Sequence, residues 1–299
     1  MNPPLDVVRR SIAAADGWTL DVLEVLSQGT ARGLVIAGHA MMVDRRTLLR
    51  SDRPSLVATL AAAGFRVLVP DARGHGASGP RAEEGGVWTY DDLVDDTAPL
   101  LALARALAPG LPIALLGHSL FAHTSLAWLV QHPDAPVAAH IGLAMDVWGR
   151  GREPSPIKWA QKRLQLAVSG GLARVLGRFP ARRLGIGSND ESLAYWRWFR
   201  RPWGRADGSV DYAASLPKLR LPCLHVVSRG DRLLARPAAA LRLTAGLADR
   251  EVWHLGHPSA PGELAALAPD HMGVVTDPGS APLWRALAGW LDRRLPEVA

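Results

Sequence analysis

Cysteine is almost absent from this chain of 299 residues: Cys223 is the only one. A disulfide framework is therefore excluded, as is a zinc site built on paired cysteines. Cys223 lies in the apolar run 221–227, where a thiol reads as a small hydrophobe on a buried strand. Long apolar runs are missing too. Nowhere do about 18 uncharged apolar residues follow one another, so no membrane-spanning helix and no stable membrane insertion are expected. Residues 1–10 carry no apolar h-region, and the reading is a soluble cytoplasmic protein. Lysine is scarce and arginine abundant, a bias that reads as genome composition rather than chemistry.

Acidic residues are the minority among the charges, 28 against 34 basic ones, for a net charge of +6. Such a balance invites a nucleic-acid reading, which the distribution argues against. Between Trp148 and Arg205 there are thirteen basic and three acidic side chains, a surplus of ten that leaves the rest of the chain four charges negative. The positive charge belongs to one segment, and no helix-turn-helix, zinc-finger or RNA-binding signature accompanies it. What is present is the balance of an ordinary globular protein, 48% hydrophobic and 21% charged, with length enough for one large α/β domain or a domain plus an insertion.

Short apolar, β-branched runs alternate with longer helical stretches in the first half, the pattern of a mostly parallel sheet covered on both faces. Residues 7–13 and 19–26, around Asp16-Gly17, read as an opening hairpin. Residues 34–37, 66–69, 113–116 and 139–143 read as buried strands. Helices are expected over 54–63, 91–108 and 120–131, each closed by glycine or proline signals. After Ala144 the pattern breaks into short helical pieces with five tryptophans, and it resumes as strands at 223–227 and 250–255 before an amphipathic helix at 281–293. The expected division is a core of residues 1–146 and 216–299 with an inserted helical cap over 147–215.

The chemistry concentrates at a few places. In the stretch 113–121, Gly117-His118-Ser119-Leu120-Phe121 puts a serine directly after a buried strand and before a helix, with glycine two positions earlier. A nucleophile on a tight strand-to-helix turn needs small neighbours, and the turn aims the following N–H groups at a developing oxyanion. Gly38-His39-Ala40-Met41 is a second strand running into a loop, and Asp71-Ala72-Arg73-Gly74-His75-Gly76-Ala77-Ser78 is a glycine-rich turn after a third. Together these resemble the α/β-hydrolase superfamily: the elbow G-x-S-x-G, the His-Gly-like oxyanion loop and the D-x-R-G-x-G-x-S loop. The fold implied is a mostly parallel sheet with helices on both faces and an inserted helical cap. Phe121 stands where the family has a small residue, and is expected either to push the helix outward or to line the pocket floor. The bland alternative for Ser119 is a helix N-cap.

The resemblance implies Ser119 as nucleophile, oxyanion donors on the backbone of Leu120 and of Ala40 or Met41, and an acid and base later in the chain in the order Ser, Asp, His. Asp231, just beyond a late strand, resembles the family's acid, with Asp146 as rival. Histidine has a pKa near neutrality, which suits the base, and His254, His257 and His271 are available. His271 is preferred, because His271-Met-Gly and a closing Leu-Trp helix resemble the ending of a poorly characterised group of predicted α/β hydrolases; lysophospholipase- and monoglyceride-lipase-like esterases are also similar. His257, in a Gly-His pair common in the wider superfamily, is the alternative. His39 is read as a packed loop histidine or a shaper of the oxyanion loop, Asp71 and Arg73 as braces. The function implied is hydrolysis of a small-molecule carboxylic ester or thioester through an acyl-enzyme, requiring no metal or organic cofactor. Acyl transfer by the same triad, or an inert fold used for binding, are the alternatives. Tryptophan walls with basic charge nearby, Arg197 and Arg200 among it, would suit a bulky anionic substrate.

Overall fold

In the computed structural model, which describes residues 5–149, 151–199 and 201–296, the alternating pattern folds into a sheet of eight strands. The chain begins with β1 (Val7–Ala13) and β2 (Thr19–Val25), paired antiparallel. It continues through β3 (Gly33–Gly38), α1 (Leu56–Ala62), β4 (Phe65–Pro70), α2 (Tyr90–Asp95), α3 (Thr97–Leu107), β5 (Ile113–His118), α4 (Leu120–Gln131) and β6 (Ala139–Leu143). An insertion follows, made of α5 (Pro156–Leu176), a two-stranded ribbon of β7 (Arg178–Phe179) and β8 (Glu191–Ser192), α6 (Leu193–Trp198) and α7 (Tyr212–Ser215). The sheet is completed by β9 (Cys223–Ser228), α8 (Pro237–Leu243) and β10 (Arg250–Leu255), and α9 (Gly273–Thr276) and α10 (Ala281–Arg294) end the fold.

Strand order is β1-β2-β4-β3-β5-β6-β9-β10. β2 runs antiparallel to β1 and β4, and every other pair is parallel. The continuous apolar runs are explained by burial on both faces. On β5, Ala114 and Leu116 enter the core under α1 and α10, while Ile113 and Leu115 enter the core under α3 and α4. From β3 the chain moves outward to β4 and then returns to β5 on the other side of β3, so a crevice opens beyond the carboxyl ends of β3 and β5. Gly38 and His118, the last residues of those strands, deliver the loop 39–42 and Ser119 to it.

Two expectations change. The helix expected over 91–108 is two helices, α2 and α3, because Pro99 has no N–H for the Asp95 carbonyl and the ladder breaks there. The segment after β6 holds a helix of 21 residues rather than short pieces alone. Ser155 caps it by accepting from Lys158 N at 3.3 Å, Pro156 occupies its first turn, and Gly177 closes it in the left-handed conformation with φ 73°. Leu164, Val168 and Val175 on α5 are exposed, so its apolar residues do not form the core-facing stripe that marks a helix in a sequence. No helix among the described residues is long and apolar enough to cross a membrane.

Candidate active site

Ser119 sits at φ 50° and ψ −101°, a conformation that a non-glycine residue adopts only under constraint. The constraint is visible. Its N–H donates to the Leu143 carbonyl at 2.9 Å, prolonging the β5–β6 pairing, and α4 starts on the very next residue. Gly117 is required by that sharp reversal, since a Cβ there would fall inside van der Waals distance of the Ala122 backbone. Phe121 does not line the cavity that Ser119 and His271 share. Its ring lies over Gly38 of β3: a Cβ on Gly38 would be 2.5 Å from Phe121 Cβ and closer still to the ring. The bulk that the elbow carries at position 121 is accommodated by the absence of a side chain on the neighbouring strand. Ser119 makes no side-chain cap bond to α4.

His271 and Asp231 are brought together from segments 40 residues apart: His271 Nδ1 donates to Asp231 Oδ2 at 2.6 Å. Asp231 is buried, and its oxygens also accept from the N–H groups of Leu234 (2.9 Å), Ala235 (2.9 Å) and Leu233 (3.3 Å). Burial opposes its ionisation, but the His271 hydrogen bond and charge and these N–H groups outweigh burial and hold the carboxyl below the usual range. The Asp231 bond leaves Nε2 as the free nitrogen of His271, and both His271 and Ser119 line one cavity of about 770 Å³.

His118, to which the sequence alone assigned no role, joins the strand that delivers Ser119 to the loop that carries His271. Its Nε2 donates to the His271 carbonyl at 2.9 Å, and the two rings lie 5.1 Å apart. Burial, with the His271 charge beside it, pushes its pKa down to about 3, so the ring is neutral. A carbonyl only accepts, so the proton is on Nε2. No signal in the sequence marks this contact, because it depends on the long-range approach of residue 271 to residue 118.

The loop 39–42 is held from both sides. The Ala72 N–H donates to His39 Nε2 at 3.0 Å, which places the His39 proton on Nδ1, and that nitrogen donates to the Ala40 carbonyl at 2.7 Å. His39 thus ties the Asp71–Ser78 turn to the loop, and burial, then the charge of His75, lowers its pKa. Phe121 N donates to the His39 carbonyl at 3.3 Å. Met42 N donates to Glu191 Oε1 at 2.7 Å, and the same oxygen takes His75 Nε2 at 3.0 Å, while His75 Nδ1 donates to the Arg73 carbonyl at 2.9 Å. Burial opposes protonation of His75, but Glu191 outweighs it and its pKa is raised. Among the described residues the N–H groups of Leu120, Ala40 and Met41 have no hydrogen-bond acceptor. In the turn itself, Asp71 accepts from Arg45 N and Ala77 N at 2.9 Å each, and Arg73 pairs with Asp96 and Asp16, so both are occupied with bracing.

The rival residues are placed elsewhere. His257 is exposed, bonded to Ser259 and stacked on His254 at 4.7 Å, so it does not meet Asp231. Asp146 lines the cavity but faces Lys162, whose Nζ lies 3.1 Å from Oδ2; burial outweighs the pull of Lys162 and raises its pKa. Of the insertion's tryptophans, Trp148 and Trp196 line the cavity, while Trp198 stacks on Tyr90 at 3.6 Å and Trp203 donates to the Tyr90 hydroxyl at 2.9 Å. No arginine lines the cavity wall among the described residues, and Arg197 is exposed to solvent. Arg200 lies outside the described residues.

The chain matches the family model described as serine aminopeptidase, S33, over residues 49–195. No curated protein matches its sequence. Among solved structures it is similar to the Pyrococcus furiosus esterase Pf2001, at TM-score 0.63 and 14% identity over 98% of this chain and 92% of that one. It is also similar to the esterase EaEST of Exiguobacterium antarcticum, at TM-score 0.65 and 15% identity over 95% and 100% of the two chains. A thermophilic esterase of Thermogutta terrifontis gives TM-score 0.60 and 20% identity over 97% and 100%. At these identities the likeness is one of fold, and it extends over nearly the whole chain.

Proposed function

Because the chain matches the serine aminopeptidase, S33, family model over residues 49–195 and shares its fold with solved esterases, we propose that it is an α/β hydrolase, a serine esterase that cleaves a small-molecule carboxylic ester or thioester through an acyl-enzyme. The observation that carries the reading is the 2.6 Å Asp231–His271 hydrogen bond on the rim of a cavity whose wall also holds Ser119 on a strained elbow. Ser119 Oγ attacks the carbonyl carbon as His271 Nε2 takes its proton. Asp231 holds the tautomer and stabilises the imidazolium. The tetrahedral oxyanion sits on the N–H groups of Leu120 and of Ala40 or Met41, with the N-terminus of α4 behind it. Collapse expels the alcohol or thiol, protonated by His271, and water then repeats the sequence on the acyl-enzyme.

The insertion over 147–215 serves as a cap: it supplies Leu172, Phe179, Trp196 and Phe199 to the cavity, an apolar wall for the body of the substrate. The esterases of the same fold support the reading. The test is labelling by a fluorophosphonate probe together with hydrolysis of 4-nitrophenyl esters. Labelling and turnover are expected in the parent and absent from Ser119→Ala and His271→Ala. Folded parent protein that is not labelled, or undiminished turnover by Ser119→Ala, overturns it.

A further inference from the structure

Besides Ser119 and His271, the cavity wall carries the polar residues His123, Asp146, Gln165 and Ser169. There, two acceptors have no partner among the described residues: Asp146 Oδ1 and Gln165 Oε1, both buried. The Asp146 side chain is 1% exposed, and its other oxygen is taken by Lys162. Lys162, equally buried, also reaches Glu153 Oε2 at 3.3 Å, and the second Glu153 oxygen pairs with Arg236. Asp146 and Glu153 thus face Lys162 and Arg236, and the charge of Arg152 also acts on Asp146. Lys162 and Gln165 are one turn apart on α5, a spacing that puts them on the same face, and Asp146 and Gln165 line the same cavity. The Trp148 ring lies 5.1 Å from the Lys162 ammonium and forms part of the same wall.

A buried acceptor left without a donor is costly, and a site lined by such acceptors favours the ligand that supplies the donor. An ammonium would add a further positive charge beside Lys162, Arg236 and Arg152, with no carboxylate left to compensate it. A hydroxyl adds none. Its hydrogen satisfies Asp146 Oδ1 or Gln165 Oε1, and its oxygen can accept from the Gln165 amide. We propose that Asp146 and Gln165 form a subsite for a neutral hydroxyl on the substrate, so that the enzyme selects an ester whose otherwise apolar body carries a hydroxyl group. The inference rests on the esterase reading above and names its substrate class.

The experiment compares kcat/KM for 4-nitrophenyl esters of straight-chain acids with esters of the same acids bearing one hydroxyl at successive positions, and with amino-substituted analogues. At one or more positions the hydroxyl is expected to raise kcat/KM about tenfold or more over the unsubstituted ester. Within Gln165→Met, and within Asp146→Ala combined with Lys162→Met so that no charge is left alone, that ratio falls toward unity. Calorimetry reads the subsite without turnover: Ser119→Ala is expected to bind a long-chain diol more tightly than the alcohol of the same length. Failure of the esterase reading shows as loss of all ester turnover, whereas the calorimetric comparison is unaffected by it. Equal ratios at every position, preference for the amino analogues, a preference that survives both variants, or equal binding of diol and alcohol each overturn the subsite.

Discussion

The exchange of bulk between Gly38 and Phe121 makes a sharp prediction. Gly38 is not in the left-handed region, so alanine fits its backbone, and the substitution alone would stabilise by about 0.4–1 kcal/mol through the unfolded chain. In this protein the added Cβ meets Phe121 Cβ at 2.5 Å and its ring closer still, between two buried elements. Overpacking of that kind costs about 1–3 kcal/mol, so Gly38→Ala is expected to destabilise. Phe121→Gly removes the obstructing atoms. By itself it forfeits a half-buried ring and adds glycine to the first turn of α4, for a loss of about 2–3 kcal/mol. In that background Gly38→Ala becomes neutral or stabilising, giving a coupling of about 1–3 kcal/mol between the sites, the overpacking cost itself. Phe121→Ala, which keeps the Cβ, restores only part. Urea denaturation of the four proteins in the cycle measures the coupling. Additive effects, with Gly38→Ala costing the same in both backgrounds, would refute the idea that glycine on β3 is what accommodates the aromatic elbow.

Four further outcomes follow from the geometry. Asp231→Asn is expected to lower kcat by about 10³–10⁴ with little change in KM, since it misdirects the His271 tautomer; steady-state kinetics on an ester reads the split. Ser119→Gly should exceed Ser119→Ala in unfolding free energy by about 1 kcal/mol, because glycine is at ease at φ 50°, and thermal melts of the two inactive proteins compare them directly. Glu191→Ala strands buried His75 and frees Met42 N, so a loss of about 3–5 kcal/mol is expected; on the proposed mechanism kcat also falls, with little change in KM, as the loop 39–42 slackens. Burial pushes His118, His123 and His225 down to about 3 and His140 to about 4. Their folded values lie below the unfolded one, so stability is present above about pH 6.5 and lost as pH falls, by up to about 5 kcal/mol per pH unit near pH 5. His75 acts in the opposite direction, its contribution being present at lower pH and lost as pH rises through its raised value. Equilibrium unfolding across pH checks both limbs; a flat profile from pH 7 to 5 would contradict the neutral buried state of the four histidines.

Much of the fold was legible because it rests on local chemistry. Apolar runs such as 113–118 can be buried on both faces only within a sheet, and glycine and proline mark where each run must stop. The elbow was legible for the same reason: Gly117 and Ser119 sit where a strand must turn at once into a helix. The helix α5 was not, because its apolar residues face solvent and the cavity rather than the core. Nor was the choice among His254, His257 and His271 open to local reasoning. Each follows or lies in a plausible strand end, and the resemblance favoured His271 without excluding His257.

By itself, then, the sequence determined the order of the eight sheet strands, the turn that presents Ser119 and the absence of disulfide chemistry, since these follow from the side chains of neighbouring residues. Only the tertiary structure decided that His271 meets Asp231 while Asp146 meets Lys162, that His118 carries the His271 loop, and that Phe121 fits because Gly38 has no side chain. Those pairings join residues tens of positions apart, and their energies come from direction and distance. Neither quantity is written in the local pattern, which specifies what each segment must bury and leaves open what it will touch.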